Sequence, residues 1–149
     1  MTKPAFTRIR SWLTPFAREM YRRYLNYVWG MDIGKGTHIS LSARLDRTYP
    51  TGIHIGEATA IAFDAAIITH DFVNGRHLDV HIGKWCFIGA RCVVMPGVTI
   101  GDHCIVSTAS VVMKDVPPNS LVLGNPARVM ESKIATSPLG RRARYPEPN

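Results

Sequence analysis

The chain has 149 residues, 46% of them hydrophobic and 19% charged, which suits one folded domain and excludes a disordered or fibrous chain. Lysine and arginine number 18 against 11 acidic residues, a formal charge of +7. Residues 1–30 carry six basic residues against one acidic and residues 131–149 four against two, while residues 31–130 carry eight of each sign, so a basic nucleic-acid-binding body is excluded and only basic appendages remain.

In chain order, residues 14–30 read as a helix. Thr14 suits the cap, Pro15 the first turn and Gly30 the stop. Phe16, Met20, Tyr24 and Tyr27 recur at helical spacing and form the expected apolar face. Arg18 and Arg22 share another face, and Glu19 and Arg23 pair across one turn. Seven of the 13 aromatic residues lie in residues 1–30. The plain reading is a lid over the structure that follows. A second, compatible reading is a peripheral membrane contact, in which a basic aromatic surface meets lipid headgroups or a lipid-linked acceptor. No stretch approaches the roughly 18 apolar residues of a spanning helix. The first thirty residues lack the apolar core of a signal peptide, and three cysteines argue against a disulfide framework. A soluble, cytoplasmic protein is expected.

From Ile33 an aliphatic residue recurs every sixth position: Ile33, Ile39, Leu45; then Ile55, Ile61, Ile67; then Ile82, Ile88, Val94, Ile100, Val106, Val112. The phase slips by four after the first three and by nine after the next three. Glycine follows five of the twelve: Gly34, Gly56, Gly83, Gly89 and Gly101. The fifth position of each hexad is a short uncharged residue in ten cases, Cys86, Cys92 and Cys104 among them, and the exceptions, Tyr49 and Asp71, each open one of the slips. A period of six matches neither a helix nor an open sheet. It suits a coil with three flat walls, in which each hexad gives one short strand and one turn. Twelve hexads predict about four coils, an all-β body stabilised by ladders between successive turns. The four-residue slip, within 49–54, reads as a bulge at a corner. The nine-residue slip reads as an exposed loop over 70–80. Pro117 and Pro118 end the pattern, Asn125-Pro126-Ala127-Arg128 is expected to open a short C-terminal helix, and residues 136–149 read as a poorly ordered tail. The organisation is then 1–30 helix, 31–117 repeat body and 118–149 extension.

These hexads, with the run Ile88-Gly89-Ala90 through Met95-Pro96-Gly97-Val98-Thr99-Ile100-Gly101, resemble the hexapeptide-repeat acetyltransferases. The similarity covers about residues 31–130 and extends to the sugar and polysaccharide O-acetyltransferases and to the maltose, galactoside and xenobiotic acetyltransferases. It implies a left-handed parallel β-helix, the hand coming from the family alone since parallel crossovers are otherwise right-handed. It also implies a homotrimer with the coenzyme A channel between adjacent prisms, and direct transfer from acetyl-CoA without a metal.

The resemblance makes His70, at the start of the loop, the general base. Its chemistry stands by itself too: a neutral imidazole, with a pKa of about 6.5, can take a hydroxyl proton as the oxygen attacks a thioester. Asp64 stands one hexad earlier, where the family usually has Asn, and is expected to contact the acceptor, as are Asp71 and Trp85. Asp71 and Asp79 are both candidates to orient His70. The resemblance places the donor along Gly89 and Ala90, then Ser107 and Thr108, with Lys114 and Arg128 for the coenzyme A phosphates. The expected activity is acetyl-CoA-dependent O-acetylation of a sugar or glycan precursor, such as one for polysaccharide biosynthesis. N-acetylation of an amino sugar is the near alternative. A non-catalytic scaffold and a zinc enzyme of the γ-carbonic-anhydrase type are the distant ones. For the zinc enzyme, His77 and His81 are four apart and His103 stands without partners, so no metal is expected.

Overall fold

The computed structural model describes residues 5–142, with side chains from Thr14 onward. All twelve hexad residues point inward and are buried. The first wall stacks Asp32–Ile33, Ile53–Ile55, Val80–Ile82 and Thr99–Ile100 in parallel register. The second stacks His38–Ile39, Ala60–Ile61, Phe87–Ile88 and Ile105–Val106, and the third Arg44–Leu45, Ala66–Ile67, Val93–Val94 and Val111–Val112. The chain visits the walls in this order, so each hydrogen-bonded column carries one aliphatic residue per turn.

The small fifth position does more than fit a corner. Where the first wall turns into the second, Thr37, Thr59, Cys86 and Cys104 stand one above another. The Thr37 hydroxyl donates to Gly56 O at 2.7 Å, Thr59 to Gly83 O at 2.8 Å, and the Cys86 and Cys104 thiols to Gly101 O and Pro117 O at 3.2 Å each. Each side chain also accepts from the backbone above: Cys86 N–H reaches Thr59 Oγ1 at 3.0 Å, and Cys104 N–H reaches Cys86 Sγ at 3.4 Å. A corner breaks the wall ladder, and these short donor–acceptor side chains repair it inside a core where an unpaired peptide group is costly. Beside them runs the glycine column. A Cβ on Gly83 would sit 2.6 Å from Asp102 N and 2.7 Å from Gly101 C, closer than any side chain can approach.

Helix α1 (Ala5–Trp29) closes one end of the prism. It begins before the expected cap, so Thr14 and Pro15 lie within it. The expected apolar face is the outer one: Phe16, Met20, Tyr24 and Tyr27 are exposed, Tyr27 at 94%. The packed face is Leu25, buried among Met31 and Ile33, with Tyr21 and Trp29 against the same cluster. Hydrogen bonding selects this face. The first strand has no neighbour below, and Asn26 supplies one, accepting from Ile33 N–H and donating to Ile33 O at 3.0 Å each, while Arg22 donates to the same carbonyl at 2.7 Å. The Glu19–Arg23 pair forms at 3.1 Å.

The four-residue slip is a single 3₁₀ turn, Pro50–Gly52. The loop over 70–80 is a small hairpin in which His70–Asp71 pairs with Arg76–His77. Past the prolines, the helix expected from Asn125-Pro126-Ala127-Arg128 does not form; among the described residues beyond them the only helical turn is the 3₁₀ turn Pro138–Gly140. Ser120–Gly124 extends the second wall in parallel, and Ala127–Ser132 folds back on it antiparallel around a cis Asn125–Pro126 bond. Leu121 and Val122 are the reason: they meet the open ladder of Ile105–Val106, and a strand there satisfies backbone groups that a helix would leave bare. Residues 136–142 are ordered rather than loose. Thr136–Ser137 pairs with Arg141–Arg142, the Thr136 hydroxyl donates to Trp85 O at 2.7 Å, and Leu139 N–H donates to Ala58 O at 2.6 Å. The rest of the expected tail, 143–149, and the start of the chain, 1–4, lie outside the described residues.

Candidate active site

At the corner where the third wall turns back toward the first, the chain leaves the prism at Thr69 and returns at Val80. His70 stands at the outgoing end, half-buried. Its Nδ1 lies 2.5 Å from Asp46 Oδ2. Asp46 follows Leu45 in the turn below and is fixed by backbone donors: Thr69 N–H at 2.8 Å and His70 N–H at 3.0 Å on Oδ2, and Thr48 N–H at 2.8 Å on Oδ1. Its side chain is 5% exposed. Burial pushes the carboxyl up, but the bonds from His70 and the three N–H groups outweigh it and hold the group well below the usual carboxylate range. An ionised Asp46 accepts the Nδ1 proton and leaves Nε2 as the available base, a tautomer assigned from this hydrogen bond.

The pair sits in a groove of about 890 Å³ along the third wall. Ile68, Leu78, Met95, Pro96 and Met113 give it an apolar floor, and Phe72 and Val73 of the hairpin form an exposed apolar lip. Its polar lining is Arg44, Asp46, His70, Asp71, Asn74 and Arg76. This is the usual build of a small-molecule site.

Of the residues expected to act, His70 and Asp71 line this groove. Asp71 accepts from Asn74 Nδ2 at 2.7 Å and from Arg76 at 3.2 Å, so it shapes the hairpin. Asp79 lies near Tyr49 and His54. Neither carboxylate bonds the His70 ring; the one that does is that of Asp46. Sequence reasoning missed Asp46, although the register carried a signal. Leu45 pairs with Ile67, so Asp46 falls directly beneath the start of the loop.

Asp64 lies at the other edge of the third wall, exposed, with a positive φ of 56° and Arg91 at 3.9 Å. Gly89, Ala90, Ser107 and Thr108 occupy that same edge on the turns above, tied by Ala109 N–H to Ala90 O at 2.9 Å. Within one chain this corner and His70 stand at opposite edges of the third wall. Lys114 is exposed and follows Met113, which lines the groove, and Arg128 is exposed on the C-terminal hairpin. Trp85 stands at the third corner, edge-on to His103 at 5.2 Å, and does not reach the groove. The three cysteines are fully buried: the bond to Cys104 together with burial pushes the Cys86 thiol up, burial pushes Cys92 up, and the bond to Cys86 brings Cys104 down, so none presents its sulfur to an acceptor at the surface.

A family model described as the hexapeptide repeat of succinyl-transferase matches residues 79–114. The chain is 34% identical over 130 residues to YvoF of Bacillus subtilis (strain 168), whose name places it among the acetyltransferases; the match spans 86% of this chain and 69% of that protein. Among solved structures, a maltose O-acetyltransferase from Clostridium difficile 630 is similar at a TM-score of 0.61 and 28% identity, over 76% of this chain and 75% of that one. A hexapeptide-repeat acetyltransferase from Vibrio cholerae O1 biovar eltor, solved with acetyl coenzyme A, shares the fold at a TM-score of 0.56 and 24% identity, over 76% and 77%. The three parallel walls and these neighbours fit a left-handed β-helix. On this ground of fold and sequence together, the chain belongs to the hexapeptide-repeat acetyltransferases.

Proposed function

We propose that this protein moves an acetyl group from acetyl-CoA to a hydroxyl of a sugar or glycan precursor, with His70 as general base. The Asp46–His70 pair at the mouth of an apolar groove is the observation that carries the proposal. His70 Nε2 takes the proton of the acceptor hydroxyl as its oxygen forms a bond to the thioester carbonyl carbon. Asp46 stabilises the imidazolium that results, as a fixed anion beside the charge that forms. His70 then hands this proton to the departing sulfur, the C–S bond breaks, and the ester and free thiol leave. No covalent enzyme intermediate is needed, in keeping with the buried cysteines.

The apolar floor through Met95, Pro96 and Met113 suits a pantetheine arm, and Lys114 beyond it suits a phosphate. The corner at Gly89, Ala90, Ser107 and Thr108 and the basic Arg128 then serve the donor carried against a neighbouring chain. This is the physical reason for a trimer: three prisms around an axis bring one chain's His70 toward the next chain's donor corner, which no single chain does. Asp64 and Trp85 would meet the acceptor in that assembly. Arg91 beside Asp64 offsets its charge, which weighs toward a hydroxyl acceptor over an amine. The protein would act in the cytoplasm, with the outer face of α1 as its membrane-proximal surface if the acceptor is lipid-linked.

The test is thiol release from acetyl-CoA against free sugars, nucleotide sugars and lipid-linked glycans, with ternary-complex rather than ping-pong kinetics expected. Turnover of the true acceptor undiminished in His70→Ala would overturn the assignment and favour a scaffold role. Light scattering that finds a monomer at micromolar concentration would remove the shared site.

A further inference from the structure

On the outer side of the first wall, away from the groove, Asp32, His54, His81 and Thr99 stand in one column, paired strand to strand. The His54 and His81 rings stack at 4.4 Å and 8°. Asp79, two residues before His81, brings its Oδ2 to 3.3 Å from His54 Nε2. One ligand atom from each of His54, Asp79 and His81 lies within 4.8 Å of the others, the only such group among the described residues. His54 and His81, with Asp32, border a shallow trough of about 550 Å³ that opens to solvent.

We infer that His54, Asp79 and His81 form a binding site for a divalent transition ion, with zinc as its probe. The ligand set is two imidazoles and a carboxylate, with the remaining positions open to water, a combination that suits zinc and its neighbours. The 3.3 Å between His54 Nε2 and Asp79 Oδ2 is longer than the roughly 2.7–2.9 Å of a charge-assisted hydrogen bond. It is close to the separation of about 3.3 Å between adjacent ligand atoms around a tetrahedral zinc with bonds near 2.05 Å. An independent observation is the support behind the ligands. His54 Nδ1 faces Asp32 Oδ2 at 3.2 Å, which leaves Nε2 for the ion, and the Asp79 carboxylate beside Tyr49 pushes that phenol's pKa up. Outer carboxylates on ligating histidines and hydrogen-bonded ligating carboxylates are what such sites require. His81 is exposed, so its ring can turn from the stack to converge on the ion.

The site also has a position in the fold. Asp79 closes the loop that His70 opens, so an ion there fastens the return end of that loop to the wall. Spacing along the chain hid the group, because its histidines are separated by a whole coil and an insertion.

The experiment uses the full chain, stripped with chelator and titrated with zinc against a chromogenic competitor, alongside thermal melts. One zinc per chain is expected, with a rise in melting temperature that follows zinc concentration. His81→Ala and Asp79→Asn should each weaken binding at least about tenfold, and Asp32→Asn about 10- to 100-fold through orientation alone. His38→Ala, an imidazole on the second wall, should bind as the parent does. His81 is exposed, so its variant keeps the fold. A parent protein that binds no zinc at 100 micromolar (about the weakest affinity of interest, near 5.5 kcal/mol), or a His81→Ala/Asp79→Asn double variant that binds as the parent does, would overturn the inference.

Discussion

Asp46 Oδ2 accepts both the backbone N–H of His70 at 3.0 Å and its ring Nδ1 at 2.5 Å. One carboxylate oxygen thus sets where the chain leaves the prism and which ring nitrogen carries the proton. Asp46→Asn should keep the groove but weaken control of the tautomer. A fall in kcat of roughly tenfold to a thousandfold with KM little changed is expected, while His70→Ala should cost about 10²–10⁴ in rate. Steady-state kinetics on both variants, with melts to confirm folding, check this. Equal kcat for Asp46→Asn and the parent would remove Asp46 from the mechanism.

Asp46 also makes stability depend on pH. Its carboxyl titrates lower in the folded chain than in the unfolded one, so its stabilising effect is fully present above the unfolded value of 3.8 and is lost as pH falls through the folded value. Urea unfolding of the parent and of Asp46→Asn should therefore differ by a constant amount from pH 6 to pH 8, and the gap should start to narrow below about pH 4 and go on narrowing as pH falls toward the folded value. A gap that persists unchanged at pH 3 would contradict this.

The corner ladder predicts a cost for a change that conserves shape. Thr59→Val leaves Gly83 O and Cys86 N–H unpaired in a fully buried place, a loss of about 1–3 kcal/mol. Gly83→Ala drives a methyl against the next turn's backbone and should cost about as much by overpacking. Chemical denaturation of each measures both, and no change in either would mean that the turns are not stacked as described.

Leu25 and Tyr27 are two residues apart on α1 and should behave oppositely. Leu25→Ala removes a buried side chain at the closed end of the prism and should cost about 2–5 kcal/mol. Tyr27→Ala, at 94% exposure, should leave the melt unchanged. If the outer face meets anionic membrane, Tyr27→Ala combined with Phe16→Ala should reduce sedimentation with anionic vesicles, and a chain lacking residues 1–13 should show the same loss.

The hexad period by itself determined the three-walled parallel body. A six-residue repeat of large aliphatic residues has one stable arrangement, with those residues inside and backbone ladders between turns, and all twelve are buried in it. The same register placed His70 at a break in the wall and made the cysteines core residues, because both follow from position along the repeat. Other features depended on contacts that no period encodes. The face that α1 presents was decided by the unpaired Ile33 peptide group, which Asn26 and Arg22 satisfy and a hydrophobic pattern does not register. The C-terminal strand was decided by an open ladder at Ile105–Val106, a partner 16 residues back along the chain, against the local turn signal of Asn125-Pro126. The choice of Asp46 over Asp71 and Asp79 required knowing which carboxylate lies beneath the loop once a four-residue slip has shifted one coil against the next. Tertiary stacking brings these groups together across 24 residues, and local sequence is blind at that range.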